Sequence, residues 1–264
     1  RAVVDAVGEV AVFDAKADRL RHARGSGYVD LARMSSGRLE DAPDAVLVPG
    51  DAAVVGRLID ACASHGVAVV PFGGGTSVVG GVEPLRGQHD ALISLDLTAL
   101  REVTVDETSL TARLGAGLRG PEAESALAAQ GLTLGHFPQS FEYATIGGFA
   151  ATRSAGQASS GYGRFDSLVS SVRLLSPAGN LSTLETPHTA AGPALRELVI
   201  GSEGALGVIP DVTVRVRPAP LQRRYEAWMA ESFEAGTEIV RDLAQGTGLP
   251  TVIRVSDEEE TFGS

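Results

Sequence analysis

Apolar and polar positions along this chain change period several times, and each change marks an element. Val46-Leu47-Val48-Pro49 reads as a short strand ended by proline. Asp51 then suits the cap of a helix running to about His65, because Val54, Val55, Leu58, Ile59 and Cys62 recur on one helical face. Gly66 is a suitable stop. The apolar run Val67 to Val70 reads as a second strand, and it enters Pro71-Phe72-Gly73-Gly74-Gly75-Thr76-Ser77-Val78-Val79-Gly80-Gly81. A strand, a helix and a strand thus deliver a glycine loop to the carboxyl end of a strand, a favoured ligand position in α/β architecture.

Further along, Ala91 to Leu95 predicts another strand. Arg101 to Val105 and Leu110 to Ala116 predict a pair around the turn Asp106-Glu107-Thr108, with Leu110, Ala112 and Leu114 alternating against Thr111 and Arg113. Pro121 opens a helix lined by Leu118, Ala123, Ala126 and Leu127, which stops at Gly131. Small and polar residues crowd 135–160, where Thr145 suits the cap of a short helix and Gly147 and Gly148 let something flat approach. Strands return at Leu168 to Leu175 and Leu181 to Leu184. A second glycine loop, Gly201 to Gly207, precedes a strand with Val212, Val214 and Val216 on one face and Thr213, Arg215 and Arg217 on the other. Pro218 and Pro220 mark a boundary, after which a strand (Tyr225 to Met229), a helix (Phe233 to Leu243) and a strand (Thr251 to Val255) predict the start of a second domain. The first forty residues are weakly patterned apart from alternation at Val10 to Phe13 and a basic patch at Arg19, Arg21, His22 and Arg24.

Composition narrows the chemistry. With 264 residues, 44 % of them hydrophobic, the chain can build a sizeable core. Its net charge of −11 makes it a poor general binder of nucleic acid. A single cysteine, Cys62, allows no intrachain disulfide and argues against a cysteine-based metal site; its place on the apolar helix face makes it a core residue. No run of apolar residues reaches the length of a membrane span and no signal peptide opens the chain, so the cytoplasm is the expected compartment. The chain begins at Arg1 without methionine and stops just after an expected strand, which suits a fragment or an incompletely ordered protein.

The first glycine loop carries the most informative chemistry. Three consecutive glycines present amide N–H groups with no Cβ in front of them, and such a concavity holds an anion, most often a phosphate. Thr76 and Ser77 add hydroxyls at its edge. The loop has neither the lysine of a P-loop nor a G-x-G-x-x-G run opening a long helix, so the residues alone leave the class of ligand open.

Three separated segments together resemble the FAD-binding domain of the vanillyl-alcohol-oxidase-type flavoproteins: PFGGGTSVVGG at 71–81, the run from Gly135 through Gly148 with Thr152-Arg153-Ser154, and GSEGALGVI at 201–209. Within that superfamily the likeness is to the alkylglycerone-phosphate synthases, carried by GHFPQSFEYATIGGFAATRSAG at 135–156, YGRFDSLV at 162–169, TAAGPALRELVIGSEG at 189–204 and VIRVSD at 252–257. The resemblance implies an α+β fold: a small α/β part and a larger, mainly antiparallel part with FAD between them. It divides the chain into a lead-in (1–44), the FAD-binding domain (45–220) and the beginning of a substrate domain (221–264).

The resemblance also assigns residues. Pro71, Gly73, Gly74, Gly75, Thr76 and Ser77 would hold the FAD pyrophosphate. Pro138, Ser140, Thr145, Gly148, Thr152 and Ser154 would contact the flavin and adenosine portions, with Arg153 supporting the loop. Glu203, Gly204, Leu206, Gly207, Val208 and Ile209 would contact the remainder. No histidine lies between Pro71 and Gly81, where some relatives attach the cofactor, so non-covalent FAD is expected. His136 matches an active-site histidine, and Arg254, beside Asp257, an arginine suited to a substrate phosphate. Phe137 and Gln139 replace a carboxylate pair of the synthase pattern, and the family's catalytic tyrosine and histidine-rich segment would lie beyond residue 264.

Three functions stay open on the residues. The first is a synthase-like exchange of the acyl group of acyl-dihydroxyacetone phosphate for a fatty alcohol in ether lipid synthesis. The second is an FAD-linked oxidase or dehydrogenase of a 2-hydroxy acid such as D-lactate or glycolate, and the third a non-catalytic FAD-binding electron-relay module. The expected partner is a phosphate-bearing small molecule or lipid, with no nucleic acid and no metal; peripheral membrane contact and a homodimer remain open.

Overall fold

The computed structural model describes residues 1–35, 42–186 and 190–263. Lead-in residues 36–41, Thr189 at the head of one quoted segment, and Ser264 lie outside the described residues. Two sheets organise the chain. The first contains β1 (Ala11–Phe13), β2 (Ala45–Val48), β3 (Val67–Phe72) and β4 (Ala91–Asp96) in the order β1-β2-β4-β3. β2, β4 and β3 run parallel, and β1 pairs antiparallel with β2.

Helix Ala52–Ser64 makes the crossover between β2 and β3, and local chemistry fixes both its ends. The Asp51 carboxylate accepts from the Val54 amide at 2.8 Å, and Gly66 takes φ +65° just past its last turn. Its apolar face packs with Leu47, Ile93 and Leu95 of the sheet. Cys62 is buried there, and burial pushes its thiol up to about 11, which leaves it an inert core residue. Helix Ala2–Val7 adds Val3 and Val7 to the same core. The weakly patterned lead-in is therefore built into the first sheet and its core.

The second sheet contains β5 (Val103–Asp106), β6 (Thr111–Gly115), β8 (Val169–Leu174), β9 (Leu181–Ser182) and β10 (Asp211–Arg215), ordered β5-β6-β10-β8-β9 and antiparallel throughout. A two-stranded ribbon, β7 (Leu132–Thr133) with β11 (Arg217–Pro218), lies beside it. Ala112, Leu114, Val172, Val212 and Val214 form one side of a core that Phe149, Phe165, Leu127 and Ile146 complete. The two cores abut where Leu175 bridges to Val208. A small parallel-sheet part followed by a larger antiparallel part is the expected α+β arrangement.

Several local expectations need correction. Leu110 is not a strand residue: it takes φ +51° and closes the β5–β6 turn, so the strand starts at Thr111. Residues Phe165–Leu168 form a helical turn, and the strand expected from Leu168 begins at Val169. The expected strands at Tyr225 to Met229 and Thr251 to Val255 do not form. Apolar residues make a strand only when a partner satisfies the ladder, and no strand among the described residues pairs with either segment. Tyr225, Trp228 and Met229 are accordingly exposed. The helix between them does form, over Phe233–Gln245, because the Ser232 hydroxyl caps it locally.

Candidate functional site

The first glycine loop leaves the end of β3 and forms one wall of a cleft of about 590 Å³ at the junction of the two sheets. Gly73, Gly74 and Gly75 line it, facing Arg101 and Arg119 from the start of the second part. Glycine is required by contact as well as by conformation. A Cβ on Gly73 would stand 2.3 Å from the Thr145 hydroxyl, and one on Gly74 2.1 Å from the Tyr143 carbonyl oxygen. Gly75 adopts φ +65°, the left-handed region.

These approaches bring the three sequence segments together. Thr145 caps helix Ile146–Ala151 by accepting from the Gly148 amide and stands directly behind Gly73. Gly204 packs on the Pro71 ring, and the Glu203 carboxylate lies against Gly81. Ser77 accepts from the Gly81 amide at 3.0 Å, closing the loop on itself. Arg153 joins the middle segment to the second glycine loop. Its guanidinium donates to Asp166 and Glu197, both at 3.0 Å, and to the Glu197 carbonyl at 2.8 Å, while its stem fills the space beside Gly201. Arg153 and Glu203 both take positive φ, +51° and +49°, a strained conformation held by these contacts.

The remaining assigned residues have varied placements. Thr152 donates to the Gly148 carbonyl at 2.9 Å, and Ser140 anchors a turn through the Tyr143 and Ala144 amides. Pro138, Val208 and Ile209 are buried, Leu206 is half exposed, and Gly207 packs against the Leu175 carbonyl. Ser154 meets His136 Nε2 at 3.0 Å.

His136 itself sits in the core of the second part at 1 % exposure, edge-on to Phe149 and tilted against Phe165. Burial lowers its pKa to about 4, so the imidazole is neutral at physiological pH. Sealed from water, it is placed to orient Ser154 rather than to exchange protons with solvent. Arg254 lies outside regular structure, half exposed, with Glu260 at 3.2 Å and Ser256 at 3.3 Å. Phe137 stacks near Phe141 at 5.2 Å and Gln139 is exposed, so the place of the carboxylate pair is an aromatic and a neutral amide.

Sequence reasoning missed the strap formed by residues 22–27. The Ser26 amide donates to the Ser77 carbonyl at 2.7 Å, its hydroxyl to the Gly75 carbonyl at 3.0 Å, and Gly25 approaches Ser77 closely enough to exclude any Cβ. His22 fixes the strap's start, with Nε2 3.0 Å from Asp96, Nδ1 2.8 Å from the Asp18 carbonyl, and its ring on Phe72. Burial alone would lower the His22 pKa, but the bonds to Asp96 and Asp18 outweigh it and the net shift is upward. Burial would likewise raise Asp96, whose bonds with His22 and Thr98 bring it down instead. The signal was present in the sequence as a basic patch beside Gly-Ser-Gly, but its meaning depends on a contact across fifty residues.

The cleft has donors suited to a dinucleotide. The amides of Gly74, Gly75, Thr76 and Ser77 donate to no group among the described residues, while the missing side chains of Gly73, Gly74 and Gly75 let the loop pack against Thr145, Tyr143 and Phe72. Four arginines line the cleft against Asp96 and Glu122, which are already bound to His22 and Arg101. Free amides and surplus positive charge in an otherwise acidic protein fit a diphosphate. Among the described residues no cluster of three His, Cys, Asp or Glu could hold a metal, and no helix is long and apolar enough to cross a membrane.

Comparison with known proteins agrees with this fit. Residues 43–185 match the FAD binding domain family, and the chain belongs to it. FAD is the cofactor, and it is held non-covalently. The chain is 34 % identical over 249 residues to the alkyldihydroxyacetonephosphate synthase of Dictyostelium discoideum, covering 94 % of this chain and 41 % of that protein. It is 28 % identical over 218 residues to the glycolate oxidase subunit GlcD of Bacillus subtilis, covering 82 % of this chain and 46 % of that one. A solved alkyldihydroxyacetonephosphate synthase superposes with a TM-score of 0.76 at 34 % identity, over 80 % of this chain and 38 % of the other. The chain thus spans roughly two fifths of the synthases it resembles. It is an FAD-binding domain of the vanillyl-alcohol-oxidase type, similar to the alkylglycerone-phosphate synthases.

Proposed function

We propose that the protein acts as an alkylglycerone-phosphate synthase, exchanging the acyl group of acyl-dihydroxyacetone phosphate for a fatty alcohol. The observation that carries this reading is the likeness to the Dictyostelium synthase, which runs through 94 % of the chain and exceeds the likeness to the glycolate oxidase subunit in both identity and extent. Bound FAD supplies the electron-accepting ring that no amino-acid side chain provides.

The chain's own residues do the rest. The Gly74 to Ser77 amides bind the diphosphate. His136 holds the Ser154 hydroxyl in one orientation, and Phe137 pairs its ring with Phe141. Arg254 receives the substrate phosphate by exchanging its exposed partner Glu260 for a bidentate pair. Oxidation of a 2-hydroxy acid is the second reading, favoured by the neutral Phe137 and Gln139 where a synthase carries carboxylates. The full-length protein, given palmitoyl-dihydroxyacetone phosphate and hexadecanol with no external acceptor, is expected to release palmitate and form the ether. Turnover of D-lactate or glycolate with no ether product would sink the synthase reading.

A further inference from the structure

The basic patch of the lead-in includes Arg24. Arg24 lines the cleft beside Gly25, Ser26 and the first glycine loop, yet only 5 % of its side chain is exposed. One terminal nitrogen donates to the Ala23 carbonyl at 2.9 Å. Its Nε is fully buried and has no hydrogen-bond partner. The nearest carboxylate, Glu83, stands 3.8 Å away, beyond hydrogen-bond reach, and lies nearer to Arg33 at 3.2 Å.

A guanidinium cannot shed its charge by losing a proton, so burying it without a hydrogen-bonded anion is costly. A bound anion is one group that completes such a donor. The strap that carries Arg24 is bonded to the loop through Ser26, and Arg24 lines the same cleft as Gly73, Gly74 and Gly75.

We propose that Arg24 is the buried cationic anchor of the cofactor's diphosphate, acting with the Gly74 to Ser77 amides, and that residues 22–27 belong to the FAD site. The proposal rests on FAD being the cofactor. It gives the lead-in a binding role: the amides supply neutral donors and Arg24 supplies the charge, so affinity for the diphosphate depends on a residue outside the three glycine-bearing segments.

The test is equilibrium binding to the full-length apoprotein, followed by flavin fluorescence for FAD and riboflavin and by competition for ADP. Arg24→Gln is expected to weaken FAD and ADP by about 10- to 100-fold, the usual worth of a hydrogen bond to a charged group, and to leave riboflavin unchanged. Glu83→Gln is expected to bind FAD as wild type does, or more tightly, because it frees the guanidinium. Equal FAD affinity in wild type and Arg24→Gln overturns the proposal, as does an equal loss for FAD and riboflavin, which marks general damage. If Arg24→Gln does not fold, Glu83→Gln decides, since a fall in FAD affinity there makes the pair structural. A wild-type protein that binds no FAD would overturn the cofactor reading itself, a separate outcome.

Discussion

Replacing Gly74 by alanine is a direct probe of how the loop is held. The added methyl would stand 2.1 Å from the Tyr143 carbonyl oxygen and 2.9 Å from the Ala144 Cα. Both are backbone atoms, so no flexible tip can swing aside, and the loop must part from the turn that precedes Thr145. Overpacking of this kind costs about 1–3 kcal/mol. A chain of this size loses about 2–4 °C of Tm per kcal/mol, giving an expected fall of about 2–12 °C in the apoprotein. The parting also displaces the Gly74 to Ser77 amides. Misplacing one hydrogen bond to a charged ligand weakens FAD binding by about 10- to 100-fold. Titration of the apoprotein with FAD by fluorescence quenching and a thermal melt give the two readouts. Gly56→Ala is the control: nothing lies within 4 Å of its added methyl. It lies inside a helix, where alanine is favoured over glycine by about 0.5–1 kcal/mol, so its Tm should hold or rise with FAD affinity unchanged. Wild-type affinity and Tm in Gly74→Ala would refute the close approach and the reasoning built on it.

His22 and His136, both buried, give opposite pH dependences. His22 has a raised pKa, so its pair with Asp96 stabilises fully below 6.5 and loses that contribution as pH rises through the folded value. His22→Gln should therefore lower the apoprotein Tm at pH 6 more than at pH 9, and an equal fall at both would contradict the pair. His136 is held neutral with a pKa of about 4, so the folded protein is penalised as pH drops below 6.5, by about 3 kcal/mol at pH 4. A melt series from pH 6.5 to 4 should be shallower in His136→Gln than in wild type; identical slopes would mean that His136 protonates freely.

Much of this was legible in the sequence where the cause is local. The Asp51 and Thr145 caps, the Gly66 stop and the two-residue period of Ala112 and Leu114 each depend on neighbours a few positions away. The glycine loop could be read as an anion cradle because three glycines in a row have a direct backbone meaning. Pairing could not be read. Tyr225 to Met229 has a strand's apolar content but no ladder partner among the described residues, and the two-residue β7 and β11 are too short to show a period. The strap at 22–27 was missed because its glycines answer to Ser77 and Val78, fifty residues on. His136 was read for its chemistry, yet its burial between Phe149 and Phe165 comes from three separate segments meeting in one core.

The most direct test of the account is to precipitate purified full-length protein with acid and quantify the flavin on both sides. An equimolar amount of FAD released to the supernatant is the expected result, since the loop from Pro71 to Gly81 carries no histidine to bond it. A pellet that keeps its flavin, or a protein that carries FMN or none, would contradict the assignment of the cleft.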